Sequence, residues 1–466
     1  MPCPRTAPQL RIVRRSLHAL PAALLGLMAF GVAAGQASQA QIAQPPRPSG
    51  GTTSEPSTAR LPYVITHTGQ TGRWDDAGRP VSRGDATWSG QDADHLRNPM
   101  SFRDLGDGTV LDEQTGLIWT KEPFEGTYAE AVAAAPACRT AGHTDWRLPT
   151  VKELYSLMDF RGGSGFSPMR PYIDTSVFTF HFGRTERGLR PIDAQYWSST
   201  EYVGLTMNGQ TTVFGVNFAD GRIKGYPRDR HPVEGRMKRF ARFVRSTPGV
   251  PAYGVNDFHD NLDGTVTDRA SGLMWTRADS KEPMDWRAAL RFARDDRTAG
   301  HDDWRLPTAK ELQSIVDYSR APDAADPARR GPAIDPVFLT TNPESYFWTG
   351  TTHFETPGDD LGSQAVYVCF GRSLGRLQPP PGGPGGRPPG GGPPAAAPPS
   401  SSPPPPGPPA SGLAGPVDWI NVHGAGAQRS DPKSGDPTDP RWRSGFGPQG
   451  DDVRILNYVR LVRDAR

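Results

Sequence analysis

The chain has 466 residues, with 52 Lys and Arg against 50 Asp and Glu, and its formal net charge is +2. This length allows about two to four domains, and a hydrophobic share of 35% excludes wholesale disorder. The balanced charge gives no bulk attraction to nucleic acid or membrane surfaces, and 3 Cys are too few for a disulfide-dense scaffold or a four-thiolate metal site. The 53 Gly and 50 Pro are the unusual feature, and they are compatible with collagen, linkers or many turns.

The N-terminal residues have the three parts of a signal peptide. Several arginines precede an apolar run from Ala19 to Gly35, and small residues follow it. An uncleaved membrane anchor is the alternative, although Pro21 makes the run a weak spanning helix. We predict a signal peptide over 1–40, a linker over 41–61, and an exported protein with no transmembrane span after signal removal.

A repeat organises the rest of the chain. Three blocks recur in the same order, and they are 104–120 with 260–276 (DLGDGTVLDEQTGLIWT and DNLDGTVTDRASGLMWT), 141–154 with 299–312 (AGHTDWRLPTVKEL and AGHDDWRLPTAKEL), and 196–200 with 347–351 (YWSST and FWTGT). We predict a leading segment over 62–100, domain 1 over 101–248 and domain 2 over 254–466.

Domain 2 contains an insertion. Domain 1 ends in RFARFVR at 239–245, and the counterpart LNYVRLVR at 456–463 lies far beyond the position that the repeat register predicts. Residues 379–410 between them hold 16 Pro and 8 Gly. Glycine does not recur at every third position there, so a collagen triple helix is excluded. We predict a semi-rigid, partly polyproline II loop over 378–415 that interrupts domain 2.

Each repeat contains signals for both strands and helices. The Asp-Gly pairs at 107–108 and 263–264 form turns before Thr-Val, which begins a short strand. Apolar residues at helical spacing follow, as at Trp286 and Leu290, and then Thr150-x-x-Glu153 and its copy at 308–311 predict the capping box of a second helix. The residues therefore predict an α+β fold, with two helices and a short-stranded antiparallel sheet in each repeat.

An acidic motif recurs at the first turn of each repeat. The pattern D-x-x-D-G-x-x-x-D offers several hard oxygens near one tight loop, as calcium requires, but it lacks the EF-hand spacing. The alternative is a β-turn in which the carboxylates accept nearby backbone N–H groups. The candidate calcium ligands are Asp104, Asp107, Asp112, Asp260, Asp263 and Asp268.

The segment 222–245 is strongly basic. Its cations are opposed only by Asp229 and Glu234, and such a cluster can hold sulfates or phosphates by charge-assisted hydrogen bonds. The alternative is a solvated loop followed by a strand with one charged face. The candidate ligand-binding residues are Arg222, Lys224, Arg228, Arg230, Arg236, Lys238, Arg239 and Arg242.

The shared blocks resemble the Lcl C-terminal domain family, where Lcl stands for Legionella collagen-like. DGTVxDxxTGLxW, GxxDWRLPTxKEL, YWSST and VNFxDG carry this resemblance. It implies two tandem C-type-lectin-like domains in an exported bacterial protein. The named member of the family is a surface adhesin that binds sulfated glycosaminoglycans. Many members pair a Cys near the first helix with one in the last strand, but here Phe243 and Leu461 replace the latter. Pairing of Cys138 with Cys369 is left open.

The sequence contains no motif of a known catalytic site, such as a nucleophile elbow or a phosphate-binding loop. We therefore predict a non-catalytic binding protein at the cell surface, in the periplasm or secreted, with no cofactor other than calcium and no nucleic-acid partner. The predicted partner is an anionic glycan. The alternative is an envelope scaffold that binds a protein, and a degenerate enzyme is a third class.

Overall fold

The computed structural model of the chain describes residues 61–229, 238–376, 419–440, 442 and 450–465. The predicted signal peptide (1–40) and all but the last residue of the predicted linker (41–61) lie outside the described residues, as does the predicted loop 378–415. No helix in the described part of the chain is both long enough and apolar enough to cross a bilayer.

Short strands make up most of the regular structure in the described residues. Before and within repeat 1 they are β1 (Arg73–Trp74), β2 (Pro80–Val81), β3 (Phe102–Asp104), β4 (Thr109–Asp112), β5 (Leu117–Thr120), β6 (Phe124–Gly126), β7 (Gln195–Glu201), β8 (Thr212–Asn217), β9 (Arg222–Pro227), β10 (Arg239–Ala241) and β11 (Val244–Ser246). In repeat 2 they are β12 (Phe258–Asp260), β13 (Thr265–Asp268), β14 (Leu273–Thr276), β15 (Tyr346–His353), β16 (Gln364–Cys369), β17 (Leu374–Gly375), β18 (Ile420–Asn421), β19 (Gln428–Pro432) and β20 (Val462–Asp464). The α-helices are α1 (Tyr128–Ala137), α2 (Val151–Ser156), α3 (Trp286–Asp295) and α4 (Ala309–Ser314).

Each repeat has a four-stranded antiparallel sheet that contains its DGTV turn and its last strand. The order is β11-β5-β4-β3 in repeat 1 and β20-β14-β13-β12 in repeat 2. Val244 pairs with Trp119, and Val462 pairs with Trp275. The last strand of each repeat thus has the same neighbour, although in repeat 2 the chain reaches it only after the predicted loop.

One eight-stranded sheet passes through both repeats. Its order is β15-β16-β19-β9-β8-β7-β10-β6, and β9 of repeat 1 pairs antiparallel with β19 of repeat 2 through Ile223 and Gln428. Strand β19 takes the position beside β16 that β9 has beside β8. The pairing of β9 with β19 removes an open edge from each repeat, and open edges favour aggregation.

The prediction of an α+β fold with two tandem C-type-lectin-like domains is wrong. The described residues are mostly β, and the two repeats share a sheet of eight strands. The helical periodicity covers only α1 to α4, whose longest members have 10 residues, whereas the β-branched and aromatic runs form strands through the rest of both repeats. The pairing of β9 with β19 depends on residues that are distant in sequence, so no local pattern predicts it.

The capping boxes of α2 and α4 are confirmed. The N–H of Glu153 donates to the Thr150 hydroxyl, and the N–H of Thr150 donates to the Glu153 carboxylate at 2.8 Å. Thr308 and Glu311 make the same two contacts in repeat 2. These bonds satisfy backbone donors that have no partner within the helix.

The helices α2 and α4 contact each other and connect the repeats reciprocally. Lys152 Nζ donates to the carbonyl of Ser314 at the end of α4 (2.6 Å), and Lys310 Nζ donates to the carbonyl of Ser156 at the end of α2 (2.8 Å). The main hydrophobic core surrounds this contact and takes side chains from both repeats. Smaller cores lie under α1 and under α3. The described residues of both repeats therefore belong to one compact unit.

Candidate functional site

The predicted basic patch is not a continuous surface in the described residues. Four of its cations have side chains that are buried or nearly buried, namely Arg222, Lys224, Arg239 and Arg242. The remaining four are Arg228, which is half-buried, Lys238, which is exposed, and Arg230 and Arg236, which lie outside the described residues. The described cations of segment 222–245 are therefore directed largely into the fold.

Arg242 connects backbone segments inside repeat 1. It is 0% exposed, and its guanidinium donates to three backbone carbonyls, including those of Lys121 (2.5 Å) and Thr179 (2.8 Å). Arg460 is its counterpart in repeat 2, and it also donates to three carbonyls. Because the terminal nitrogens of both guanidinium groups donate to backbone carbonyls and both side chains are buried, these arginines stabilise the fold and are not available to a ligand.

Arg222 and Lys224 belong to a buried ion network where β9 meets β19. The members of this seam network are Asp220, Arg222, Lys224, Glu355, His423, Arg429 and Asp451. Arg222 pairs with Glu355, and Lys224 Nζ lies 3.0 Å from Asp220 Oδ2. Opposite charges from the two repeats thus neutralise one another at the junction.

The pKa values in the seam network reflect burial and ion pairing together. Burial opposes the charged forms of Arg222 and Glu355, but their mutual attraction outweighs it, so the pKa of Arg222 is raised and that of Glu355 is lowered. Burial dominates for Lys224 and lowers its pKa to about 8, although Asp220 opposes this shift. Both members of the central pair therefore stay ionised at neutral pH.

The predicted calcium ligands make separate turn contacts. Asp104 accepts the N–H of Gly106 at 3.0 Å, and Asp107 accepts the N–H of Thr109 at 3.0 Å. The same type of contact, to an N–H two residues ahead, is made by Asp112, Asp260, Asp263 and Asp268. Among the described residues, no group of three or more His, Cys, Asp and Glu side chains is placed to hold a metal ion. The structure does not bring the six carboxylates together, and it agrees with the turn alternative.

The DWRLP motifs contribute to the cores. Trp146 and Trp304 are each 3% exposed, and each indole N–H donates to the carbonyl of the residue six positions earlier. Cys369 is a free, buried thiol, so it forms no disulfide with Cys138.

The leading segment covers the outer face of repeat 2. Trp88 stacks on Trp286 of α3 with ring centroids 6.4 Å apart, and Asp92 accepts a hydrogen bond from Thr351 on β15. Leu290, one turn after Trp286, lies beneath this segment and is 0% exposed. The α3 side of repeat 2 therefore binds a segment of its own chain.

The same face of repeat 1 is open. The counterparts of Trp286, Leu290 and Thr351 are Tyr128, Val132 and Thr200, and we call these three residues the open face. Val132 is 46% exposed, whereas Leu290 is 0% exposed, although both occupy the fifth position of their helices. An apolar side chain at an equivalent position is thus covered in one repeat and exposed in the other.

A cavity of about 390 Å³ adjoins the open face at the junction of the repeats. Its lining includes Thr200 and Lys152, together with Tyr253 from the connection between the repeats. The Thr200 hydroxyl accepts the N–H of Val151 at 3.0 Å, and no described residue accepts the proton of that hydroxyl. A partner in this cavity therefore meets a hydrogen-bond donor next to a lysine.

We expect stability to be lost in acid through the Arg305–Glu311 pair in particular. Burial opposes ionisation of Glu311, but Arg305 outweighs it and holds the pKa of Glu311 at about 2, against 4.5 for the unfolded group. The stabilisation is therefore complete above about pH 4.5 and is lost as the pH falls towards 2. Urea unfolding across this range measures the slope, and Glu311→Gln should reduce it by about 1.4 kcal/mol per pH unit. An unchanged slope in the variant would contradict this assignment.

The fold and the site define a tandem-repeat, mostly β protein whose two repeats share a core and differ in whether their outer face is covered. The Lcl C-terminal domain family matches residues 108–244 and 264–376, which together make up more than half of the chain. The chain therefore belongs to the Lcl C-terminal domain family and contains two tandem copies of that domain. The leading segment lies outside both matches. No curated protein and no solved structure matches the chain.

Proposed function

We propose that the chain is an exported, non-catalytic binding protein of the bacterial envelope that holds a protein partner on the open face of repeat 1. The difference between equivalent faces carries this proposal. The face of repeat 2 binds the leading segment, whereas in repeat 1 Val132 is 46% exposed and Thr200 lines a cavity together with Lys152. Exposed apolar surface next to polar groups is typical of a protein-binding site.

Adhesion to anionic glycans has less support in the structure. Glycan sulfates require accessible cations, but Arg222 and Lys224 are neutralised in the seam network, and Arg242 donates to backbone carbonyls. The proposed activity needs no cofactor and no nucleic acid. Its extracytoplasmic location is supported by the predicted signal peptide over 1–40.

We expect a photo-reactive amino acid at position 132 to cross-link one envelope protein in the bacterium that makes this chain. Position 132 lies at the centre of the open face, so a bound partner comes within reach of its side chain. Leu262 provides the matched control because it is 89% exposed on a hairpin of repeat 2, away from the helices. The two variants should be analysed side by side by mass spectrometry of the cross-linked products.

A product of defined mass that forms at position 132 and not at position 262 supports the proposal. The same set of products at both positions, or no protein product at position 132 together with specific retention of the unmodified protein on heparin, contradicts it. The second outcome would favour glycan adhesion.

A further inference from the structure

The leading segment shows how an extended chain covers the α3 face of repeat 2. Trp88 is its apolar anchor, 8% exposed, and its ring lies at 24° to that of Trp286. Gly90 follows closely over α3, since a Cβ at that position would lie 3.9 Å from Leu290. An aromatic side chain and the backbone at Gly90 thus lie over the apolar positions of α3.

Asp92 is the polar anchor of the same segment. It is 1% exposed, and its Oδ2 accepts hydrogen bonds from Thr351 and from Thr68 (2.8 Å). Thr351 accepts the N–H of Ala309 at 2.9 Å, so its hydroxyl proton is directed at the carboxylate. Burial raises the pKa of Asp92 to about 7, and the hydrogen bonds from Thr351 and Thr68 oppose that shift.

The open face presents the same features without an occupant among the described residues. Tyr128 replaces Trp286 and is 9% exposed, with its ring edge-on to Trp197, while Val132 replaces Leu290 and supplies the exposed apolar contact. Thr200 accepts the N–H of Val151 as Thr351 accepts that of Ala309, which leaves its proton to donate into the cavity. Lys152 lines this cavity, and its ammonium donates to Ser314, Gly254 and Asn256, as that of Lys310 in repeat 2 donates to Ser156 and the leading segment.

Two differences between the repeats direct the leading segment to repeat 2. Arg294 of α3 donates to the carbonyl of Ser89 at 3.0 Å, and Arg287 lies 5.2 Å from the centre of the Trp88 ring. The counterparts of these arginines on α1 are Pro136 and Ala129, which cannot make either contact. The open face is thereby left for a segment from another molecule.

We infer that the open face binds an extended segment of the partner protein that presents an aromatic side chain to Tyr128 and Val132 and a carboxylate to Thr200, at the spacing of Trp88 and Asp92. This inference rests on the proposed function and specifies the chemistry of the partner. The aromatic ring covers the apolar surface of α1, and the carboxylate accepts the Thr200 proton beside Lys152.

A synthetic peptide with the sequence of residues 82–98 tests this chemistry. Repeat 2 is already occupied by the covalently attached segment, so a labelled peptide added to the mature chain reports on repeat 1. We expect saturable binding by fluorescence anisotropy, and we expect the peptide variants Trp88→Ala and Asp92→Asn to bind about tenfold more weakly.

Matched changes in the protein locate the binding. Val132→Asp should weaken peptide binding about tenfold, and the exposed control Leu262→Asp should leave it unchanged. Thr200→Val should weaken binding, and Thr200→Ser should restore it because the hydroxyl is retained. Thermal unfolding of each variant verifies that the fold is intact.

The inference is overturned if the peptide shows no saturable binding up to about 1 mM, or if it binds equally well to the Val132→Asp protein. The cross-linking experiment separates this result from failure of the proposed function. A specific cross-linked product at position 132 without peptide binding would support a protein partner, but one with a different chemistry from the leading segment. Failure of both experiments would contradict the proposed function as well.

Discussion

Replacement of Arg222 by Met is expected to destabilise the protein by about 3–5 kcal/mol. The guanidinium side chain is 13% exposed and pairs with Glu355 from the other repeat, while Ser430 accepts a further hydrogen bond at 3.1 Å. Methionine fills a similar volume but leaves the Glu355 carboxylate charged, buried and without its main partner. Because Arg222 lies in β9 of repeat 1 and Glu355 follows β15 of repeat 2, the loss should appear in the unfolding of both repeats. Urea denaturation followed by tryptophan fluorescence measures it.

Arg228→Met is the control for this experiment. Arg228 lies just after β9, its side chain is 39% exposed, and it lies 3.5 Å from Glu201, which is 53% exposed. An ion pair of this kind contributes about 0–1 kcal/mol, so the variant should unfold nearly as the unmodified protein does. Equal losses in the two variants would show that the seam network does not stabilise the fold.

Replacement of Arg305 by Met is expected to lower the free energy of unfolding by about 3–5 kcal/mol. The equivalent replacement of Arg147 is expected to lower it by about 1 kcal/mol. Both arginines belong to a DWRLP motif, and both bind the capping-box glutamate through two hydrogen bonds of 2.6 and 2.7 Å. They differ in environment, since the Arg305 side chain is 7% exposed and the Arg147 side chain is 43% exposed. The two glutamates are 4% and 12% exposed, so the expected difference comes from the arginines: water can enter where the exposed Arg147 side chain lies, and not where the buried Arg305 lies.

The repeat itself thus provides a matched pair for comparison, and chemical denaturation of both variants measures the difference. The double variant Arg305→Met, Glu311→Leu should recover part of the loss, because it removes the unpaired buried carboxylate. A loss at Arg147 that equals the loss at Arg305 would show that burial does not determine the strength of this pair.

The sequence predicts the local features of this fold better than its long-range pairing. The capping boxes at Thr150 and Thr308 depend on residues three positions apart, and both are present. The contact between β9 and β19 joins Ile223 to Gln428, and neither strand contains a signal that selects the other. A prediction of two separate domains follows from the repeat alone, because the blocks within each copy are complete without this pairing.

The candidate site shows a similar limit. Segment 222–245 is basic by composition, but Arg222 pairs with Glu355 of repeat 2, and Lys224 pairs with Asp220, which lies just before the segment. Val132 and Leu290 have the same place in their helices, so periodicity assigns them the same burial. Only the path of the leading segment, which passes over repeat 2, distinguishes the two positions.

The position of β19 in the chain determines when the shared sheet can be completed during biosynthesis. This strand follows the predicted loop 378–415, and it supplies a neighbour to both β16 and β9. Until nearly the whole polypeptide has left the ribosome, repeat 1 has all of its own strands, but β9 has no partner at its outer edge. In repeat 2, β16 still lacks the strand beside it. Domains generally fold in the order of their synthesis, but here the first repeat waits for the last part of the second. A chain that stops before Gln428 lacks β20 as well as β19, so it leaves unpaired edges on β9, β16 and β14 at once. Premature termination therefore yields an aggregation-prone product and not a functional first repeat.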